Sequence, residues 1–446
     1  MGVLSDFIDG LKGNDQIESS LYNKYNVKRG LRNADGSGVL VGLTRVGDVH
    51  GYILNEGDKQ ACEGKLFYRG IDIEDIIANA QIEKRFSFEE TIFLLLLGYL
   101  PSKEELEKFS GLISSNRELP RGFAEDSIMK QPSRDIMNKL ARSVLTLYSY
   151  DSDPENLSVE NVLRQCLELI ARFPTMAAYC YRAKRHYFDN ASLIIHKLQE
   201  GRQTAETILS LMRKDQQFTR LEAETLDLAL TLHAEHGGGN NSTFAVHLVT
   251  SADTDTYSAI AAGIASLKGF KHGGANYKVI SMMNDLKANV KNWSDEAAVT
   301  AYLEKIVKGE AHDGSGLIYG MGHAVYTVSD PRAILLRERA FKLAAEKGCE
   351  EEYNLYTLVE KLGPQIIKYV KNSTKDICAN VDLYSGFVYK LLDIPAELYT
   401  PIFAVSRLTG WCAHRIEEIV SGGKIIRPAY KCVQPHLNYV ALDKRL

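Results

Sequence analysis

The sequence predicts a mainly α-helical protein with a small β region near residues 38–66. Three observations carry that expectation. Apolar residues recur at helical spacing through most of the chain, in segments that stop at glycine. Strand signals are confined to one stretch rich in valine and glycine. The length, 446 residues, exceeds what one core usually fills, so two domains with a ligand cleft between them are expected.

In chain order, the first 35 residues are polar, with Asn-Asp and Asp-Gly turn signals, and predict a leading helix or arm followed by a loose connector. GVLVGLTRV and DVHGYILNEG, between Gly38 and Leu66, are short enough for a small sheet or a pair of hairpins. The apolar run from Ile92 to Leu97, continuing to Leu100, is far short of a membrane span and predicts a core helix. Helices are further predicted over Leu221–His233, Ala259–Lys268 and Ala333–Lys347, each followed closely by glycine. The clearest lies near the carboxyl end, where Thr400 is positioned to cap, Pro401 to begin and Gly422 and Gly423 to terminate a helix with Val405, Cys412, Ile416 and Ile419 on its core face. No fixed-period repeat is present, which argues against a solenoid.

Composition narrows the function classes. With 53 Lys and Arg against 57 Asp and Glu, the net charge of -4 offers no footprint for nucleic acid or an anionic membrane. The seven cysteines are scattered and form no C-x-x-C pair, which fits reduced thiols and excludes a zinc ribbon. MGVLSDFIDG carries no basic segment followed by a long apolar one, so a cytoplasmic location is expected.

Six of the eleven histidines fall between residues 233 and 323, and three of them (His236, His272, His323) stand beside glycine clusters. In HAEHGGGN, GFKHGGAN and GMGHAVY, glycine lets a ligand approach an imidazole closely. Each could instead be a satisfied polar group or a cap. A metal site is the sharper rival, since His233 and His236 flank Glu235 at helical spacing. H-E-x-x-H is nevertheless absent and no third ligand stands nearby. Gly314–Gly322, GSGLIYGMG, matches neither a dinucleotide turn nor a P-loop, which leaves a glycine-rich loop that touches a nucleotide through its backbone.

Two arginines ask for anions, and a third is less informative. Arg332 falls in the first turn of a helix capped by Ser329 or Asp330, where the dipole disfavours a cation, so Asp330 or a bound carboxylate should face it. Arg407 lies within the carboxyl-terminal helix on a stripe with Trp411 and His414, and a buried guanidinium needs a carboxylate from protein or ligand. Arg427 sits in KIIRPAY, where an exposed arginine is ordinary. Asp382, in NVDLYSG before a helical pattern, reads by itself as an N-cap.

Together GFKHGGAN, GMGHAVYTVSDPR and NVDLYSG, with HAEHGGGN, SRLTGW, RPAY and LFYRGIDIEDI, resemble the citrate synthase family in order and spacing over most of the chain. The resemblance implies a two-domain helical fold, a large domain of residues 1–275 and 387–446 and a small one of 276–386 that closes over the site. It implies condensation of acetyl-CoA with oxaloacetate, the coenzyme A thioester being a cosubstrate and no cofactor or metal being tightly bound. His272, His323 and Asp382 would be catalytic; His236, Arg332, Arg407 and Arg427 would bind the oxo acid, Arg427 in the neighbouring subunit of a homodimer. Gly314, Leu317, Ile318, Tyr319, Gly320, Met321 and Gly322 would lie along coenzyme A, with Met321 where the family more often has an aromatic or small residue. A 2-methylcitrate synthase using propionyl-CoA would share these residues, a lyase running the bond backward would normally come with an ATP-using partner, and a hydrolase built on His233 and His236 is the distant alternative.

Overall fold

In the computed structural model, residues 8, 15–33, 37–55 and 58–445 are described. The chain forms two units, 1–44 and 45–446. In the first, a short helix α1 (Ser19–Lys24) is followed by a single turn at Arg29–Leu31 and an isolated bridge between Arg32 and Gly38. The expected leading helix falls partly outside the described residues.

The second unit opens with an antiparallel three-stranded sheet, β1 (Gly47–Asn55), β2 (Asp58–Tyr68) and β3 (Ile71–Asp72), in the order β1-β2-β3. It therefore begins later than expected. GVLVGLTRV is not a strand: Leu40 and Leu43 are 84% and 91% exposed, and an apolar run without a buried face to fill gains nothing by pairing. In β2 burial alternates, with Gly64, Leu66 and Tyr68 turned inward. Gly47 pairs with Tyr68 and Val49 with Leu66, and the register shifts at Gly51.

The remainder is helical: α2 (Ile73–Ile82), α3 (Phe88–Leu97), α4 (Lys103–Ser115), α5 (Ile136–Leu147), α6 (Val159–Asp189), α7 (Thr204–Met212), α8 (Arg220–His233), α9 (Asn241–Thr250), α10 (Thr256–Lys268), α11 (Ala275–Asn289), α12 (Glu296–Lys308), α13 (Pro331–Lys347), α14 (Glu350–Lys371), α15 (Val381–Leu391) and α16 (Tyr399–Val420). The predicted helices at 221–233, 259–268 and 333–347 all form, and α3 ends at Gly98, whose φ of 87° suits glycine alone. Among the described residues no helix is long and apolar enough to cross a membrane.

α16 departs from expectation at its start. It begins at Tyr399, and the Thr400 hydroxyl donates to the Gly273 carbonyl (2.8 Å) rather than capping its own helix. Its middle is buried throughout, so Val405 and Cys412 lie in the core while Ile416 and Ile419 are only partly covered. Past Val420 the chain is exposed and irregular but for a turn at Leu442–Lys444.

α16 crosses the end of α8 with no room to spare. The Gly410 N–H donates to the Ala234 carbonyl (3.1 Å), and a Cβ on Gly410 would stand 2.5 Å from that oxygen. In an open helix, glycine to alanine stabilises by about 0.5–1 kcal/mol. Here Gly410→Ala should instead destabilise by about 1–3 kcal/mol through overpacking, a sign reversal that urea unfolding would detect.

Candidate active site

Four segments converge: the end of α8 with its glycine turn (233–238), the turn before α11 (269–274), the loop between α12 and α13 joined to the start of α15, and the middle of α16. The sheet braces them. A Cβ on Gly51 would stand 2.7 Å from the Val325 carbonyl, and the Gly64 N–H donates to Ser329 Oγ (3.0 Å) while Tyr326 reaches the Lys65 carbonyl (3.3 Å). The glycines in the strands are thus where loop 323–329 lies against the sheet.

That loop is also sewn to the segment before α15. Gly322 N–H donates to the Cys378 carbonyl (2.8 Å), Asn380 N–H to the Gly320 carbonyl (2.9 Å) and Asn380 Nδ2 to the Gly322 carbonyl (2.8 Å). Met321 pairs with Ala379 as an isolated bridge and packs its side chain over Gly363 of α14. Within Gly314–Gly322, Ile318 is buried, Leu317 is exposed, and the Tyr319 hydroxyl meets Asp313 (2.5 Å) and Lys278 Nζ (3.3 Å).

Asp330 organises the charges. Its carboxylate caps α13 through the Arg332 N–H (3.0 Å), takes a fork from Arg332 Nε and Nη2 (3.0 and 2.8 Å), and accepts the Val381 N–H at the start of α15 (3.2 Å). The negative partner expected for Arg332 is therefore Asp330. Arg332 is 4% exposed, and Asp330 overcomes the burial penalty to hold its guanidinium firmly protonated.

The Asp382 backbone is capped by Asn380 Oδ1 (3.0 Å), so Asn380 is the N-cap and Asp382 stands inside the first turn. Sequence order alone had suggested Asp382 for that task. Its carboxylate accepts no hydrogen bond among the described residues. Burial pushes its pKa up to about 6, against the pull of Arg332 and Arg407.

The His323 Nδ1 accepts the N–H groups of Val325 and Tyr326 (3.1 Å each), which places the proton of the neutral ring on Nε2. Its ring stacks on Tyr326 (centroids 4.7 Å) and meets His236 edge-on (5.0 Å). Burial, then Arg332, lowers its pKa to about 4. His272 precedes α11 by three residues; its Nε2 lies 3.0 Å from Ser242 Oγ, which also receives Trp411 Nε1–H (3.2 Å). Burial, then Arg407, lowers it to about 4 as well.

Arg407 is 1% exposed. Its Nε donates to the His233 carbonyl (2.7 Å), its guanidinium lies 4.6 Å from the Phe403 ring, and Nη1 has no partner. Both ring nitrogens of His233 and Nε2 of His236 are likewise buried and unpartnered. Burial, with Arg332 and Arg407, drives both rings well below their usual pKa. Unpaired donors this deep cost free energy unless a ligand pairs them, and the surrounding cations select an anion. Among the described residues no group of three or more His, Cys, Asp or Glu is placed to hold a metal ion.

The structure thus gathers His236, His323, Asp382, Arg332 and Arg407, with His272 beside Arg407. Arg427 stands apart, exposed on the tail next to Ile426, whose N–H donates to Ser251 Oγ. Sequence reasoning passed over Ser242, Asn380 and Tyr326, and named Glu235 and His414 without seeing that they pair (3.0 Å). A broad groove of about 2430 Å³ near Arg117, Arg121 and Arg164 is lined by none of the expected site residues.

These shifts fix an acid response. Between about pH 6.5 and 4 the unfolded chain protonates His272 and His323 while the folded one does not, so the melting temperature should fall as pH drops through that window. Asp382 has the opposite sign: the cost of its charge builds from about pH 4 to 6 and is full above that. Asp382→Asn should therefore raise the melting temperature at pH 7.5, keep about half of that advantage at pH 5 and lose it near pH 4; a melt across pH 4–8 checks both.

A family model described as citrate synthase, C-terminal domain, matches residues 35–429. The curated citrate synthase of Synechocystis sp. is 33% identical over 393 residues, 86% of this chain and 89% of its own. The 2-methylcitrate synthase of Shewanella oneidensis is 31% identical over 369 residues, 82% and 87%. Among solved structures, the ternary complex of carboxymethyl coenzyme A and oxaloacetate with citrate synthase from Thermoplasma acidophilum superposes with a TM-score of 0.76 at 28% identity, covering 94% of this chain and 99% of that one.

Proposed function

Because the chain belongs to the citrate synthase family, we propose that it condenses acetyl-CoA with oxaloacetate and water to give citrate and coenzyme A. The observation that carries this reading is the pairing of one carboxylate that burial holds near pKa 6 with two imidazoles that burial holds neutral. Such a set removes a proton while donating hydrogen bonds to two oxygens.

Asp382 takes a proton from the methyl carbon of the thioester. Its carboxylate is free of hydrogen bonds and basic enough to accept one near neutrality. His272, whose Nε2 lies 3.0 Å from Ser242 Oγ, donates a hydrogen bond to the thioester oxygen as enolate character develops. His323 donates from Nε2 to the carbonyl of the oxo acid and then protonates it, because two backbone N–H groups commit Nδ1 as an acceptor. The enolate carbon attacks the polarised carbonyl, and hydrolysis of the product thioester drives the reaction forward. Arg332 and Arg407 hold the carboxylates of the oxo acid, with His236 between them.

Arg427 completes the site of a second copy, which makes the working unit a homodimer; its exposure on a tail with Ile425 and Tyr430 also exposed supports this. Gly314 to Gly322 receive the adenine end of coenzyme A. Residues 276–386 move as a small domain against 1–275 and 387–446, which excludes water for condensation and admits it for hydrolysis. A second reading, 2-methylcitrate synthesis from propionyl-CoA, is favoured by the Shewanella relative, and one methylene changes a pocket by only about 1–3 kcal/mol.

Thiol release with oxaloacetate, comparing kcat/KM for acetyl-CoA and propionyl-CoA, separates the two readings: preference for acetyl-CoA is expected, preference for propionyl-CoA moves the assignment, and release with neither removes it. Asp382→Asn should keep oxaloacetate affinity and lose more than about nine-tenths of turnover. In the unaltered protein, kcat should fall as pH drops through about 6, where the base becomes protonated.

A further inference from the structure

Behind Arg407 lies a buried row of titratable groups that the proposed reaction does not use. His414 Nε2 is 3.0 Å from Glu235 Oε1, His414 Nδ1 is 3.1 Å from His247 Nε2, and His247 Nδ1 is 3.0 Å from Glu418 Oε2. Glu235 and His414 are both wholly buried. Space has been cleared for them: a Cβ on Gly47 would stand 2.8 Å from Glu235 Cγ, and one on Gly238 would touch the His414 ring at 3.5 Å.

The hydrogen count is fixed by geometry. Ionised carboxylates only accept, so His414 must donate from Nε2 and His247 from Nδ1. The contact between the rings needs a third hydrogen. Two imidazoles that hold three hydrogens on nitrogen carry one positive charge. Either ring could hold it by hydrogen count alone, but His414 faces two carboxylates, the wholly buried Glu235 at 3.0 Å and Glu417 at 3.7 Å, whereas His247 faces Glu418, so His414 is its seat. Although burial opposes the charge, Glu235 holds the His414 imidazole up to about 9, while burial and His414 lower His247.

Glu235 has work of its own: Oε1 accepts the Gly237 N–H (2.5 Å) in the turn that follows His236. A bare carboxylate there would also oppose the Arg407 field, since Glu235 is the leading charge acting on that guanidinium. We propose that His414 is a positioning residue for substrate binding: its imidazolium cancels Glu235, so the carboxylate can hold the His236 turn while the charge of Arg407 stays available to a dicarboxylate. The inference rests on the reading that Arg407 binds the oxo acid. Other groups face the pair as well. Glu417 lies 3.7 Å from His414 Nδ1 on α16, the Tyr68 hydroxyl approaches from the end of β2 and Arg69 from the turn after it, and Glu418 closes the outer end.

The test measures oxaloacetate affinity by calorimetry, and KM and kcat by thiol release, on the full chain. His414→Gln should weaken affinity about fivefold or more, because Glu235 is left uncancelled, with kcat within about threefold. His414→Gln combined with Glu235→Gln should return affinity to within about twofold of the original, a recovery that a purely structural pair would not give. Affinity of the unaltered protein should also weaken between pH 8 and 9, where His414 loses its proton ahead of Arg407, which burial lowers to about 10, and Glu235→Gln should flatten that first step; this arm stands if His414→Gln does not fold. Normal affinity in His414→Gln, additive losses in the double variant, or an unchanged pH profile in Glu235→Gln would each overturn the proposal while leaving the enzymatic reading intact. Absence of oxaloacetate binding in the unaltered protein would remove the premise itself.

Discussion

Asp330 holds two helix starts and a buried guanidinium with one carboxylate, and the site is assembled around it. One oxygen caps α13 and meets Arg332 Nε; the other meets Arg332 Nη2 and the Val381 N–H at the head of α15. Asp382 is the next residue, so the ion pair that fixes an anion-binding arginine also sets the position of the proposed base. Removing one partner of such a pair leaves an uncompensated buried charge at a cost of about 3–5 kcal/mol. The hydrogen bonds from Gly320 and Gly322 to residues 378–380 extend the same register to His323. A displacement at any of these points moves acid and base together.

Around that frame, burial does most of the electrostatic work. Desolvation is the leading cause of the shifts at His272, His323 and Asp382, and in each case it disfavours the charged form. Two rings are thereby kept neutral, and a carboxylate is made more basic chiefly by burial, with Asp330 adding to the rise at Asp382. The arginines stay charged near neutrality, Arg332 by its fork to Asp330 and Arg407 with an unpaired Nη1, although burial lowers Arg407 to about 10. The contrast explains why the site sets two neutral imidazoles beside a carboxylate basic enough to accept a proton, and still attracts anions.

Much of this was legible because it is local. Glycine after an apolar period marks a helix end, and α8, α10 and α13 form where that rule placed them. A histidine beside glycines marks backbone that approaches a ligand, and His236, His272 and His323 do converge. What escaped was set by packing across the chain. GVLVGLTRV has strand propensity but no face to bury; Thr400 finds the Gly273 carbonyl instead of its own helix; Asn380 rather than Asp382 caps α15. Glu235 and His414 are 179 residues apart, and no periodicity joins them. The two-domain division rests on the family resemblance, as does the role of Arg427.

The unpaired nitrogens of Arg407, His233 and His236 have a consequence for the lifetime of the protein. A folded chain that carries buried donors without acceptors is less stable than its packing would allow, and any anion that fills the gap binds the native state alone. Such a ligand lowers the unfolded fraction in proportion to its concentration over its dissociation constant. Proteolysis draws on that unfolded fraction when opening and closing are fast relative to cleavage. The abundance of this protein would then follow the supply of the anion it binds, scarce ligand shortening its half-life and plentiful ligand protecting it, with no dedicated regulatory site required.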